Sequence, residues 1–215
     1  MPETRPEPTL APLVAARFRA VNGDHPMSAD DDAYVSAQFV TLDALCAELG
    51  RDPDAVRRLM LDGLLPLPGY LRSDGAEMVP RDLFRLADAA RGAGEAGGAG
   101  GAVGAGALRE WFVAHWEDPA EGAAEWEAYR SGQYVCLHTV TPATIRRKEE
   151  LTAEISGAVA SAPDTPTRAW LLGLHARVDE LDALEPAFTG YDRLRFGGPT
   201  SRDTCIDAPR DRFPL

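Results

Sequence analysis

The apolar residues of this chain recur three and four positions apart in several separate stretches. That spacing places side chains on one face of an α-helix, so each stretch predicts an amphipathic helix. The apolar stripes start at Leu13, Leu42, Val56, Leu83, Leu108, Ile145 and Trp170. Two short apolar pairs, Tyr70-Leu71 and Met78-Val79, flank the turn-forming Ser73-Asp74-Gly75 and predict a small β-hairpin. The pattern therefore predicts a mainly α protein.

Residues 39–86 contain the start and stop signals of a compact helical module. Thr41 precedes an apolar stripe and can cap a helix through its hydroxyl, whereas Gly50 tolerates the left-handed backbone that ends one. Asp52-Pro53 starts a second helix, and Pro80 opens a third helix beyond the hairpin. Two short helices joined by a tight turn and followed by a wing predict a winged helix-turn-helix.

This order of elements resembles the amino-terminal DNA-reading module of MerR-type regulators. The matching segments are FVTLDALCAELG, the turn GRDPDAV, the ending DGLLP and the wing that follows. In such modules the second helix enters the major groove, while its flank and the wing hold phosphates. The resemblance implies that Arg51, Arg57 and Arg58 face the groove and that Arg72 lies on the wing.

The charge of the module argues against DNA as its partner. Residues 41–91 contain seven Arg and nine Asp or Glu, and Asp52, Asp54 and Asp62 lie among the arginines. DNA-binding domains normally carry a clear basic stripe, because phosphate contacts supply most non-specific affinity. The whole chain has a net charge of -12, which also disfavours nucleic acid and anionic membranes. We therefore favour the interpretation that this module packs three helices without contacting DNA.

Other sequence features exclude several classes of protein. The chain has no apolar run long enough to span a bilayer and no secretion signal, so we expect it in the cytoplasm. Its three cysteines, Cys46, Cys136 and Cys205, form no CxxC motif and indicate neither disulfides nor a metal site. The acidic run at residues 30–32 is typical of a solvated helix start capped by Ser28. No cofactor is indicated.

The domain organisation is predicted from changes in composition along the chain. Residues 1–12 are rich in proline and predicted to be disordered, and residues 13–91 form the helical module. The Gly/Ala run at residues 92–107 lacks a phosphate-binding GxxxxGK[ST] pattern and predicts a linker. Residues 108–215 are predicted to form a helical domain with an irregular, Arg-rich tail from Phe188 onward.

Candidate catalytic residues lie in this second half. Cys136 and His138 are two positions apart, so on a strand they would share a face and the imidazole could stabilise a thiolate. The alternative is a buried structural thiol beside an unrelated surface histidine. Asp192 in the tail is a third candidate for the chemistry.

The arginines of the second half suggest a substrate site. Planar guanidinium groups bind carboxylates and phosphates in pairs of hydrogen bonds, so they can form a pocket for an anion. The candidates are Arg146, Arg147, Arg193, Arg195 and Arg202. Alternatively, the neighbouring Asp192 and Asp203 saturate these arginines as structural ion pairs.

Taken end to end, the chain resembles a family of uncharacterised natural-product biosynthesis proteins from GC-rich bacteria. The segments that carry this resemblance are FVTLDALCAELG, GLLPLPGYL, SGQYVCLHTVTPATIRRKEEL and YDRLRFGGPTSRD. A composition of 21 Arg and one Lys agrees with a GC-rich genome. The resemblance implies a metabolic setting and no particular reaction.

Three hypotheses of function follow. The first is an enzymatic or accessory role in secondary metabolism, on a small anionic or carrier-tethered intermediate. The second is a MerR-like transcription regulator with a metabolite-sensing carboxy-terminal domain, which would act as a homodimer with two groove helices one turn of DNA apart. The third is a partner-binding protein without a catalytic site, which fully paired tail arginines would favour.

Overall fold

The computed structural model describes residues 10–96 and 105–215 of the chain, and this part is mainly helical, as predicted. The α-helices are α1 Ala11–Asn22, α2 Ala29–Gln38, α3 Leu42–Glu48, α4 Pro53–Leu61, α5 Arg85–Ala96, α6 Ala105–Val113, α7 Pro119–Arg130, α8 Pro142–Ala160, α9 Arg168–Leu184, α10 Gly190–Arg195 and α11 Ala208–Arg212. The strands are β1 Val40–Thr41, β2 Tyr70–Leu71 and β3 Glu77–Val79. A 3₁₀ turn spans Tyr134–Cys136, and a π-helical segment spans Arg202–Asp207.

The chain forms two compact units, Met1–Gln133 and Tyr134–Leu215. This division does not fall in the predicted linker at residues 92–107. Residues 97–104 and the first nine residues lie outside the described part of the chain. Residues 92–96 complete α5 and residues 105–107 begin α6, because an alanine-rich sequence retains high helix propensity despite its glycines. Residues 11 and 12, predicted as part of a disordered terminus, begin α1.

Helices α3 and α4 of the first unit are capped as the sequence predicts. The Thr41 hydroxyl accepts a hydrogen bond from the Ala44 amide at 3.2 Å and starts α3. The Asp52 carboxylate accepts one from the Asp54 amide at 3.1 Å, and α4 begins at the following proline. Gly50 between the helices has a φ of 62°, a conformation that residues with a Cβ adopt at a cost. Local signals therefore set this turn.

The wing is a three-stranded antiparallel sheet with β3 in the middle. β2 and β3 pair as the predicted hairpin, with Tyr70 opposite Met78. β1 adds a strand that the sequence did not suggest, with Val40 opposite Val79. The third helix, α5, begins at Arg85 and not at Pro80, because turns occupy the intervening residues.

The core of the first unit joins this module to α1. Its buried apolar side chains come from α1, α3, α4, the segment between α4 and β2, β3 and the turns before α5. Fully burying each large aliphatic side chain stabilises the fold by roughly 1.5–3 kcal/mol. The core residues are Val14, Leu42, Leu45, Cys46, Val56, Met60, Leu65, Leu67, Val79, Leu83 and Phe84. Within the same unit, Phe112 of α6 stacks on Tyr129 of α7, with ring centroids 5.6 Å apart.

The second unit is built on α8 and α9, which pack against each other. Thr141 and Thr167 cap these helices by accepting hydrogen bonds from amides three residues ahead. Their facing stripes meet residues of the tail in one core. That core contains Leu151, Ile155, Leu174, Val178, Leu181, Cys205, Ile206 and Phe213.

The tail is helical, which corrects the prediction of an irregular segment. Thr189 and Asp192 form a capping box that starts α10, and π-helical backbone followed by α11 completes the chain. Arg202 and Arg210 both donate to Asp182 of α9, so the tail is fixed along that helix. Such short helices escape periodicity analysis, because their stability comes from these contacts and not from a long amphipathic stripe.

One buried cation joins three elements of the first unit. Arg57 of α4 is 5% exposed, and its Nε donates to Glu77 Oε2 of β3 at 2.8 Å. Its Nη1 donates to Asp54 at 3.0 Å, and its Nη2 donates to Asp43 of α3 at 2.6 Å. Burial, reinforced by Asp43 and Asp54, raises the pKa of Glu77, and the opposing attraction of Arg57 limits this rise. We call these four residues the Arg57 clamp.

We expect Arg57→Met to lower the free energy of unfolding by about 3–5 kcal/mol near neutral pH, because it leaves the buried Glu77 carboxylate without its cation. The folded-state pKa of Glu77 lies above its unfolded value, so this group favours the folded state as pH falls. Removing Arg57 raises that pKa further. The loss in Arg57→Met should therefore shrink at mildly acidic pH in urea denaturation followed by tryptophan fluorescence.

Arg58→Met is the matched control, because Arg58 is the exposed neighbour on the same helix. We expect its effect to stay within about 0.5 kcal/mol at both pH values. Equal stability of Arg57→Met and the wild type would show that the clamp does not hold the fold.

Candidate functional site

The four arginines predicted to face DNA lie in different surroundings. Arg57 faces the core of the first unit inside its clamp, so the prediction that it points to the groove is wrong. The Arg51 guanidinium lies 4.0 Å from the ring centre of Phe84. Arg72 on the wing is bound to Asp74, and Arg58 is exposed with no partner among the described residues. The module presents little free positive charge on its second helix.

The tail arginines are bound by carboxylates of their own unit. Arg193 donates from Nε to both oxygens of Asp203, at 3.1 and 3.2 Å. This interaction, together with hydrogen bonds from Thr200, lowers the pKa of Asp203 to about 2. Arg202 donates from Nη1 to Asp182 at 2.6 Å. Both guanidinium groups are therefore engaged in the structural pairs that the alternative hypothesis predicted.

The remaining predicted anion ligands are also in separate environments. Arg147 binds Glu180 through two hydrogen bonds of 2.7 Å, from Nε and Nη2. The Arg195 guanidinium lies 5.3 Å from the ring centre of Phe196. Arg146 is exposed and has no partner among the described residues. Three of the five predicted arginines are thus each bound to a different carboxylate.

Asp192 also has a structural role. It is fully buried and is the third residue of α10, where its carboxylate accepts hydrogen bonds from the amide and hydroxyl of Thr189. Those bonds start the helix, so Asp192 serves as a cap in this structure.

Cys136 and His138 do not lie on a strand, which corrects the geometry expected for this pair. Cys136 ends the 3₁₀ turn that begins the second unit. His138 has an exposed side chain, and its amide donates to the Leu184 carbonyl at 3.0 Å. The half-buried Cys136 sulfur instead interacts with the ammonium group of Lys148.

Lys148 connects the thiol to a buried carboxylate. Its side chain is 17% exposed, and its Nζ lies 2.9 Å from Oε1 of Glu185 at the end of α9. Ser201 also donates to this oxygen, at 2.5 Å. Oε2 of Glu185 is buried and has no hydrogen-bond partner among the described residues. The site therefore combines a thiol, a buried ammonium and a carboxylate that can accept a further hydrogen bond.

The charge state of Lys148 follows from its neighbours. Burial, the largest influence, lowers the pKa of its ammonium group, but the combined effect of Cys136 and Glu185 outweighs burial and raises it. Lys148 therefore stays protonated and acts as a fixed hydrogen-bond donor, not as a base. A cation in this position favours the thiolate form of a neighbouring cysteine, which is the nucleophilic form.

Two of these residues were missed, although the sequence contained a signal. Lys148 is the only lysine in the chain, and it falls on the inward stripe of α8 between Ile145 and Leu151. Glu185 follows Leu181 by four positions, on the inward stripe of α9. Burying a charged side chain on an apolar stripe costs free energy unless the charge is paired. Two opposite charges on the inward stripes of neighbouring helices therefore indicate an ion pair.

The arrangement is suited to covalent chemistry on an electrophilic carbon. In such chemistry Cys136 would provide the nucleophile, with the Lys148 ammonium, held by Glu185, beside it. Among the described residues, no group of three His, Cys, Asp or Glu side chains is arranged to hold a metal ion. No helix in the same part of the chain is both long and apolar enough to cross a membrane.

Comparison with known families matches residues 108–214 to a family of unknown function (DUF6058). The match begins at the first residue predicted for the carboxy-terminal domain, and it includes Cys136, Lys148 and Glu185. No curated protein and no solved structure is significantly similar to the chain. The family match therefore covers the candidate site without naming a reaction for it.

We expect Lys148→Met to slow alkylation of Cys136 by iodoacetamide near neutral pH by about tenfold, because the thiolate loses its stabilising cation. Glu185→Gln should speed the alkylation of Cys136, because it removes a nearby negative charge that disfavours a thiolate. Mass spectrometry of the Cys136 peptide measures both rates, with the buried Cys46 and Cys205 as slow internal references.

Arg146→Met is the control, because Arg146 is an exposed cation two residues earlier on the same helix. It should leave the alkylation rate unchanged. A rate in Lys148→Met equal to that of the wild type would show that Lys148 does not activate the thiol.

Proposed function

We propose that this protein acts in bacterial secondary metabolism on a small anionic or carrier-tethered intermediate, through covalent chemistry at Cys136. The observation that carries the proposal is the largely buried ammonium of Lys148, which is held by Glu185 and interacts with the half-buried Cys136 sulfur. Thiol nucleophiles in enzymes are activated by such a neighbouring cation. An isolated structural thiol would have no need of a buried charge beside it.

The setting is supported by the resemblance to natural-product biosynthesis proteins. One of the segments that carry this resemblance, SGQYVCLHTVTPATIRRKEEL, contains both Cys136 and Lys148. A carrier-tethered acyl intermediate is commonly a thioester, and a cysteine thiolate is a nucleophile that can attack its carbonyl carbon. The chemistry of the site and the implied setting therefore agree.

The proposed step is a thioester exchange. The Cys136 thiolate attacks the thioester carbonyl of the carrier-tethered acyl group and forms a new sulfur–carbon bond. The carrier's sulfur–carbon bond breaks, and the carrier thiolate leaves and takes up a proton from solvent. Lys148 stabilises the attacking thiolate before the exchange, and Glu185 keeps the ammonium oriented. The acyl group then remains on Cys136 until an acceptor nucleophile removes it.

We expect octanoyl-N-acetylcysteamine, which mimics the end of a carrier arm, to transfer its acyl group to Cys136 of the purified protein. Mass spectrometry should locate the added octanoyl group on the Cys136 peptide. Cys136→Ala should abolish labelling, and Lys148→Met should slow it by about tenfold, because less thiolate is present. Absence of acylation on the folded wild type, or equal rates in the wild type and Lys148→Met, would contradict the proposal.

A second candidate is a partner-binding protein without a catalytic site. The observation that favours it is the saturation of the tail arginines, because Arg193 and Arg202 are each held by a carboxylate of the same unit. The two candidates predict different amounts of the natural product in the bacterial strain that makes it. Cys136→Ala should abolish product formation if the thiol is catalytic. Normal product from folded Cys136→Ala, together with loss of product on deletion of the gene, would support partner binding.

A further inference from the structure

A pocket of about 400 Å³ lies within the first unit, apart from the thiol site. Its walls come from α1, the end of α4, the segment before β2, and α7. Representative lining residues are Arg17, Val21, Met60, Leu67, Arg130 and Gln133. This volume is in the range of pockets that hold small organic ligands, which is about 300–1,000 Å³.

The pocket has one apolar side and one polar side. Met60 and Leu67 belong to the buried core and present an apolar surface. Val21 of α1 adds to it from the more exposed edge. Arg17, one turn earlier on α1, and Gln133 are exposed and provide N–H donors at the opening.

The walls are fixed to one another by hydrogen bonds. The Asn22 side chain on α1 donates to the Ser131 carbonyl after α7 at 3.0 Å. The Leu67 amide donates to the Arg130 carbonyl at 2.9 Å, which ties the segment before β2 to α7. At Gly63, where φ is 73°, an added Cβ would meet the Arg130 guanidinium, so glycine leaves room for this side chain. A preformed pocket binds its ligand with a smaller loss of conformational freedom.

The two arginines of the pocket differ in their partners. Arg130 donates from Nε to Glu127 at 2.8 Å, so its charge is largely neutralised by another lining residue. Arg17 has no ion-pair or hydrogen-bond partner among the described residues. By contrast, Arg19 on the same helix pairs with Asp24. Arg17 is thus a free guanidinium at the mouth of a partly apolar pocket.

We propose that this pocket binds an amphipathic organic monoanion, with a carboxylate at Arg17 and an apolar body against Met60, Leu67 and Val21. A guanidinium forms paired hydrogen bonds with a carboxylate, and Gln133 offers a further donor. The nearby Glu127 carboxylate disfavours ligands with several negative charges. The inference stands on the first unit alone and does not depend on the thiol chemistry of Cys136.

The test uses methionine methyl groups as reporters in the full-length protein. Met60 lines the pocket, whereas Met78 is buried in β3 and is not among the lining residues. In protein labelled with ¹³C at the methionine methyls, sodium octanoate and sodium 1-naphthoate serve as a flexible and a flat carboxylate probe. We expect at least one of them to shift the Met60 signal in a saturable manner and to leave the Met78 signal in place. Met60→Leu assigns the signal.

Matched variants test whether the Arg17 guanidinium binds the carboxylate of the probe. Arg17→Gln should weaken binding of the active probe by about tenfold or more, because a charge-assisted hydrogen bond is lost. Arg19→Gln should not change the affinity. Ala124→Leu, at an exposed helical position that lines the pocket, should weaken binding by filling space. Octylammonium, which has the apolar chain but the opposite charge, should not shift Met60.

Three outcomes would overturn the proposal. One is the failure of both carboxylates to shift Met60, and the second is equal affinity of the wild type and Arg17→Gln. The third is binding of octylammonium as tight as that of octanoate, which would make the pocket apolar but not anion-selective. Each outcome is independent of whether Cys136 accepts an acyl group.

Discussion

Removing a cation from water is costly. The first unit buries Arg57, and the second largely buries Lys148, whose side chain is 17% exposed. The cost is offset only where carboxylates and hydrogen bonds surround the charge. Each unit therefore depends on bringing acidic residues from other elements to a fixed point. Arg57 draws α3 and β3 to α4, whereas Lys148 draws the end of α9 to α8. The orientation of these helices and strands is tied to that requirement.

The two buried cations nevertheless have different consequences. Arg57 donates from Nε, Nη1 and Nη2 to three different carboxylates, so the group works as a structural clamp. Lys148 shares its ammonium between a single carboxylate and a thiol. A compact ammonium suits this role better than a planar guanidinium, because it is a point charge that small neighbours can share. The same physical constraint thus builds a scaffold in one unit and a candidate reactive site in the other.

The distribution of the arginines explains why the acidic chain offers few sites for anions. Many of its guanidinium groups are engaged by carboxylates of the same unit, as with Arg57, Arg147 and Arg193. A net charge of -12 adds a general repulsion of polyanions such as DNA. A free arginine beside a partly apolar pocket, as at Arg17, is therefore informative against this background. Such an arginine favours a small monoanion as the ligand. The apolar part of the ligand then adds binding affinity to that of its single charge.

The helical class, the hairpin of β2 and β3, and the starts of α3 and α4 follow from the amino-acid sequence alone. Those features depend on contacts within a few residues, such as the Thr41 hydroxyl with the Ala44 amide, or on the period of a single helix. The resemblance to DNA-reading modules implied that Arg57 lies on the surface. Helical spacing does not show whether an arginine next to an apolar stripe contacts a buried carboxylate.

The partners of the charged residues depend on how the helices and strands pack, which the sequence pattern does not show. Arg57 meets a carboxylate twenty positions away on another element, and Lys148 meets one on the next helix. Cys136 likewise interacts with Lys148 and not with His138. Cys136 ends a 3₁₀ turn, and such a turn does not place alternate residues on one face. Periodicity and caps are local, whereas the partner of a buried charge is set by which helices pack together, and that information is spread over the whole unit.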